Sequence, residues 1–192
     1  MDRGPWDDIP RGLGLVLDEE RGSLPYALLQ GEALVTCAAW ALGESGVDLV
    51  DATVAWAAFV EAGRDLVLHD SLCPMTPPAF IAGCLERARE TGRPVVGVRP
   101  VTDTVKVVAH DRVGATLDRE SLLAVTSPLV IPAGVLAGLA RRPASDLARA
   151  VADLAASGHP VEPLTAPAEG RRVSSLEDVR LLVALTTVEA RL

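Results

Sequence analysis

The chain has 192 residues, 49% hydrophobic and 23% charged, a globular composition that suits one domain over residues 1–192 with a proper core. Its formal charge of −8 argues against a nucleic-acid backbone as partner, because the only dense basic spots, Arg141-Arg142 and Arg171-Arg172, are too small to offset it. Three cysteines, Cys37, Cys73 and Cys84, are odd in number and lack CxxC spacing, which indicates neither a disulfide framework nor a zinc site. No apolar run reaches the length of a membrane helix, and MDRGPWDDIPRG lacks the basic-then-apolar order of a secretory leader. No membrane partner and a reducing cytoplasm are therefore expected.

Met1 to Gly12 reads as a loose lead-in. Leu13 to Leu17 is a short apolar run suited to a buried strand. It stops at a charged loop, Asp18-Glu19-Glu20-Arg21-Gly22-Ser23. The three carboxylates there either face solvent or hold a metal. Arg21, the one cation among them, either makes a local salt bridge or is a remnant phosphate ligand. Glu32 to Ala41 places Leu34, Cys37, Ala38 and Ala41 on one helical face, and Gly43 to Gly46 breaks it. Asp51 to Glu61 reads as a second helix with Trp56, Phe59 and Val60 clustered. Leu66 to Leu68 is a strand ending at His69-Asp70. Thr76 before Pro77 predicts an N-cap followed by proline in the first turn. That helix reaches about Glu90, with Ile81, Cys84, Leu85 and Ala88 inward, and Gly92 ends it. Val95 to Val98 is the next strand.

Val101 to Pro128 is the least helical stretch. Val105, Val107 and Ala109 alternate with Thr104, Lys106 and Val108, and alternation resumes over Ala115 to Asp118 beyond the turn formers Asp111 and Gly114. Two alternating runs joined by a polar turn predict an antiparallel hairpin, an arm over about residues 101–127. Leu122 to Thr126 is extended and Pro128 closes it. Ile131-Pro132 opens a helix to about Ala140. Ser145 caps another, with Leu147, Ala150, Val151 and Leu154 on one face. Gly158-His159-Pro160 turns into a strand over Val161 to Thr165. Ser174-Ser175-Leu176-Glu177 has the spacing of a capping box before a final apolar helix. Strands alternating with helices predict an α/β sandwich with a mostly parallel sheet. Ligands of such sheets sit beyond the carboxyl ends of the strands, where Asp18, Asp70, Thr104 and Arg172 fall or where the arm is rooted.

Several segments resemble one family in order and spacing. Val67-Leu68-His69-Asp70-Ser71-Leu72-Cys73-Pro74 resembles the Val-His-Asp-Ala-Ala-Arg-Pro segment of 2-C-methyl-D-erythritol 4-phosphate cytidylyltransferases. Pro100 to Lys106 resembles their Pro-Val-x-Asp-Thr-hydrophobic-Lys, and Thr116 to Leu122 their Thr-Val-Asp-Arg-x-x-Leu. Ser127-Pro128 stands where they carry Thr-Pro-Gln. Gly158 to Val161 and Arg172 to Asp178 resemble their closing patterns. The resemblance implies a Rossmann-like nucleotidyltransferase fold, a three-layer α/β sandwich with a protruding β-hairpin arm that pairs two subunits. It implies transfer of a cytidylyl group from CTP to methylerythritol phosphate, with Mg2+ and release of pyrophosphate. It carries the substrate side onto Asp70, Thr104, Arg119, Ser127 and Arg172, with Asp70 also the metal-side residue and Arg119 reaching across a homodimer.

Departures from the family pattern concentrate at the start. Where the family has Ala-Ala-Gly-x-Gly-x-Arg-Met and then Pro-Lys-Gln, this chain has Asp18 to Tyr26, with three carboxylates where a polyanion should rest. Tyr26 stands in place of the lysine and Cys73 in place of an arginine. Residues between Asp48 and Asp65 look too few for the family's second strand and base-reading segment. Each lost preorganised donor lowers rate about a hundredfold or more. The expectation is a divergent homologue that binds a sugar phosphate or dimerises, with itself or with an intact relative. The alternatives are an active cytidylyltransferase or a binder using the acidic loop as a metal site.

Overall fold

The computed structural model describes residues 11–102, 104–109 and 112–189. Asp103, His110 and Asp111, parts of the predicted arm, lie outside the described residues, as does the lead-in up to Pro10. In chain order the elements are β1 (Leu13–Leu17), β2 (Leu28–Leu29), β3 (Glu32–Ala33), α1 (Leu34–Glu44), β4 (Asp48–Leu49), α2 (Trp56–Glu61), β5 (Leu66–Asp70) and α3 (Pro78–Thr91). There follow β6 (Val95–Pro100), β7 (Lys106–Ala109), β8 (Arg112–Thr116), β9 (Leu123–Ile131), α4 (Ala133–Leu136), α5 (Leu147–Ala156), β10 (Glu162–Thr165) and α6 (Leu176–Glu189).

Six strands form one sheet in the order β10-β6-β9-β5-β1-β4. The pairs β10–β6, β1–β5 and β1–β4 are parallel, and β9 alone runs antiparallel to its neighbours β5 and β6. Alternation along the strands splits the core into two layers. Leu66, Leu68, Leu129 and Ile131 face Phe59, Leu136, Leu147 and Leu154 on one side. Val67, Val95 and Val130 face Leu42, Ile81, Cys84 and Leu85 of α1 and α3 on the other. The result is the predicted three-layer sandwich. Each fully buried leucine contributes about 2 kcal/mol through apolar burial. A third cluster, Leu29, Leu34, Leu72, Val173, Val179 and Leu182, fastens α6 beside the start of α1. The sheet is close-packed at Gly14, where an added Cβ would stand 2.6 Å from Val47 Cγ2 and 2.9 Å from Leu42 Cγ.

Several boundaries differ from the sequence reading. A second strand does exist, β4, reduced to two residues at the sheet edge. The second helix begins only at Trp56, because Asp51 ties the preceding turn by accepting bonds from the Thr53 N–H and Oγ1. Pro77, not Thr76, is the N-cap of α3; the Thr76 hydroxyl turns back to the Cys73 carbonyl at 2.9 Å. The strand predicted to close at Pro128 continues to Ile131. Pro128 is tolerated there because the β6–β9 register shifts between Val96 and Val98, which spares its missing N–H a ladder position. The helix after Pro132 ends at Leu136 rather than near Ala140. Asp146, not Ser145, caps α5, accepting from the Arg149 N–H at 2.8 Å. The capping box of α6 is displaced by one residue: the Asp178 N–H donates to Ser175 Oγ, and the Asp178 carboxylate accepts from the Ser174 N–H.

The arm is a separate two-stranded antiparallel sheet, β7–β8, with Lys106 opposite Thr116 and Ala109 opposite Arg112. It leaves the main sheet between neighbouring strands β6 and β9, whose ends pair at Pro100 and Leu123.

Candidate functional site

The site forms because β1 and β5 are parallel neighbours whose carboxyl ends coincide, with Leu17 in register with Asp70. Beyond them the chain is held in place by Ser71, whose N–H and hydroxyl both donate to the Leu17 carbonyl. Asp70 is buried, and both its oxygens are engaged. Oδ1 accepts from Arg21 Nε at 2.7 Å and from the Leu72 N–H at 2.9 Å; Oδ2 accepts from Arg172 Nε at 3.0 Å. Burial alone would raise the pKa of this carboxyl, but the Arg21 bond, the Leu72 N–H, the Arg21 charge and the Arg172 bond outweigh it and hold it below its ordinary value.

Arg21 is the centre of this arrangement. Its side chain is only 5% exposed. Besides Asp70 it donates to the Glu19 carbonyl and, at 2.9 Å, to the Ser145 carbonyl. Two more residues of the acidic loop are fastened to the segment around Ser145. Glu20 accepts from Ser145 Oγ at 3.0 Å, and Glu19 pairs with Arg142 at 3.6 Å. Asp18 accepts from the Tyr26 hydroxyl at 3.1 Å, and that bond with the Asp18 charge raises the Tyr26 pKa. The salt bridge that Arg21 makes is therefore long-range rather than local.

Ser127 lies under the site, fully buried. Its Oγ accepts from the Asp70 N–H at 3.0 Å and is hydrogen-bonded to His69 Nδ1. Burial pushes the His69 pKa down to about 4, which leaves a neutral ring. Cys73 is buried beside the same carboxylate; burial, and then the Asp70 charge, push its thiol pKa up. Asp70, Ser127 and Arg172 are thus brought together. Thr104 and Arg119 stay with the arm, where Arg119 donates to the Thr102 carbonyl at 2.8 Å rather than pairing with Asp118. Sequence reasoning missed that Arg21 is the partner of Asp70. The available signal was a lone cation among three carboxylates, one loop beyond a strand that pairs with the strand ending in Asp70.

A carboxylate with a guanidinium on each oxygen does not suit a magnesium ion. Among the described residues no group of three or more His, Cys, Asp or Glu side chains is placed to hold a metal. The arrangement instead presents one guanidinium, that of Arg172 at 40% exposure, with the buried Arg21 behind it, beyond the carboxyl ends of two central strands. Among the described residues no helix is long and apolar enough to cross a membrane.

The family model for 2-C-methyl-D-erythritol 4-phosphate cytidylyltransferase matches residues 44–161. The cytidylyltransferase of that name from Nocardia farcinica is 37% identical over 139 residues, covering 71% of this chain and 59% of the relative. The one from Rhodococcus jostii is 33% identical over 117 residues, covering 59% of this chain and 48% of the relative. The matched stretch thus spans about half the length of these curated relatives. Among solved structures, the Thermus thermophilus enzyme of the same name superposes with a TM-score of 0.68 at 21% identity, covering 91% of this chain and 98% of that one. The Francisella tularensis structure gives 0.67 at 12% identity, covering 89% and 97%.

Proposed function

Because the chain belongs to the 2-C-methyl-D-erythritol 4-phosphate cytidylyltransferase family, we propose that it is a member that has given up efficient CTP chemistry and acts by binding and dimerising. The observation that carries this reading is the double engagement of Asp70 by Arg21 and Arg172. The one cation of the shortened loop is spent on a carboxylate of the chain itself, and its neighbours Asp18, Glu19 and Glu20 add negative charge where a triphosphate would rest. In this reading Asp70 orients Arg172 rather than ligating a metal, and Ser127 supports Asp70 from below. Arg172, with Thr104 and Arg119 from the arm of a second subunit, forms the sugar-phosphate side. The protein is a cytoplasmic homodimer through the arm, able to pair with an intact relative by the same element.

A second reading is an active cytidylyltransferase that uses Mg2+ and moves CMP from CTP to methylerythritol phosphate. It draws on the position of Arg21, Asp70 and Arg172 beyond the ends of β1 and β5, and it requires a guanidinium to release Asp70. Isothermal calorimetry separates the two. CTP with magnesium is expected to give no heat, whereas methylerythritol phosphate gives heat that Arg119→Ala abolishes. Micromolar CTP binding with pyrophosphate release would overturn the first reading and establish the second.

A further inference from the structure

A groove of about 540 Å³ opens between α1 and the loop 74–78. Its apolar lining includes Leu29, Met75 and Pro77, with Trp40 at its lip. Trp40 is 55% exposed although the helix that carries it buries Leu34, Ala38 and Leu42 completely. A large aromatic left open beside proline rings and a thioether is the composition of a recognition surface rather than of a solvated helix face.

The charges around it have one sign. Glu32, Glu44 and Glu169 line the groove, and among the described residues no lysine, arginine or histidine does. None of the three glutamates forms an ion pair with a described residue. The field is felt inside: burial first, and then the Glu32 charge, push up the thiol pKa of Cys37 on the groove wall. A second copy of this chain, with a net charge of −8, is a poor electrostatic match, and an anionic lipid surface is worse.

We propose that this groove docks an extended segment of a partner protein, with an apolar anchor on Trp40 and flanking arginine or lysine side chains against Glu32, Glu44 and Glu169. The proposal does not rest on the reading of the Asp70 site.

The test is calorimetric titration of the full chain with two seven-residue probe peptides. One carries two leucines flanked by arginines; the other has each arginine replaced by glutamate. The basic peptide is expected to bind in the range of about 10–100 μM. Trp40→Ala should weaken it about tenfold or more, and the double variant Glu44→Lys, Glu169→Lys should reverse the preference toward the acidic peptide. Circular dichroism checks that both variants fold, and the double variant decides the matter if Trp40→Ala does not. The proposal is overturned if neither peptide binds at millimolar concentration or if both bind equally. It is also overturned if Trp40→Ala shifts the monomer–dimer balance in sedimentation, which would make the groove a contact between copies.

Discussion

Asp70 has one buried partner and one half-exposed partner, so its two ion pairs differ in weight. Removing Arg21 leaves a buried carboxylate without its shorter bond, and Arg21→Gln is expected to lower stability by about 3 kcal/mol or more. Arg172 is screened by solvent, and Arg172→Gln should lower it by about 1 kcal/mol or less. Urea unfolding measures both, and equal losses would contradict the burial difference. His69 sets a pH dependence. Its pKa is about 4 folded and 6.5 in the ordinary state, so between those values the unfolded chain binds the extra proton. Stability from this group is complete above pH 6.5 and falls as pH drops toward 4, by about 1.4 kcal/mol per pH unit. The depressed pKa of Asp70 acts in the same direction at lower pH. Unfolding of the natural chain and of His69→Gln from pH 7 to 4.5 should show a shallower slope for the variant. At this scale, the place of Asp70 was legible because an apolar run ends there. The partnership with Arg21 was not, since it depends on β1 and β5 being neighbours and on the path of a short loop.

Elements were legible where the pattern was strong and not where a side chain chose a local bond. The faces of α3 and α5 follow from their apolar spacing: Ile81, Cys84, Leu85 and Ala88 are all buried, as are Leu147, Ala150 and Leu154. The cap at Thr76 failed because its hydroxyl satisfies the turn behind it, not the helix ahead. Ser145 was displaced as a cap because it serves Glu20, and Asp146 took the role. Asp146→Ala is therefore expected to destabilise by about 1 kcal/mol in thermal or urea unfolding. Ser145→Ala should leave α5 intact and loosen the acidic loop, read as faster amide hydrogen exchange over residues 18–23. A second element-scale prediction concerns Gly97. A Cβ there would stand 2.5 Å from the Ser127 carbonyl oxygen, which belongs to backbone and cannot swing away. Gly97→Ala should lower stability by about 1–3 kcal/mol, whereas Gly83→Ala on α3, with open space around it, should not.

For the molecule as a whole, the arm and the sheet are separate bodies of hydrogen bonds. Val113 on β8 is 68% exposed and Leu117 beyond it is also open, apolar surface that a single copy leaves uncovered. If the arm joins two copies, Val113→Asp should shift the chain to monomer in sedimentation equilibrium while its circular dichroism is unchanged. A variant that remains dimeric would remove the arm as the joint. The six-stranded order was legible only as "mostly parallel", because reversal of β9 follows from its return after the arm and not from its own composition. That return has a practical consequence. Pro100 and Leu123 face each other in register, and the Val101 N–H reaches the Leu122 carbonyl beside them, so residues 101–122 enter and leave at one point. The arm is thus a cassette with a single seam. It can be exchanged for a tight turn, or for the arm of a relative, at those two positions without altering any other strand pairing. Pairing preference then becomes a trait that recombination can transplant independently of the pocket.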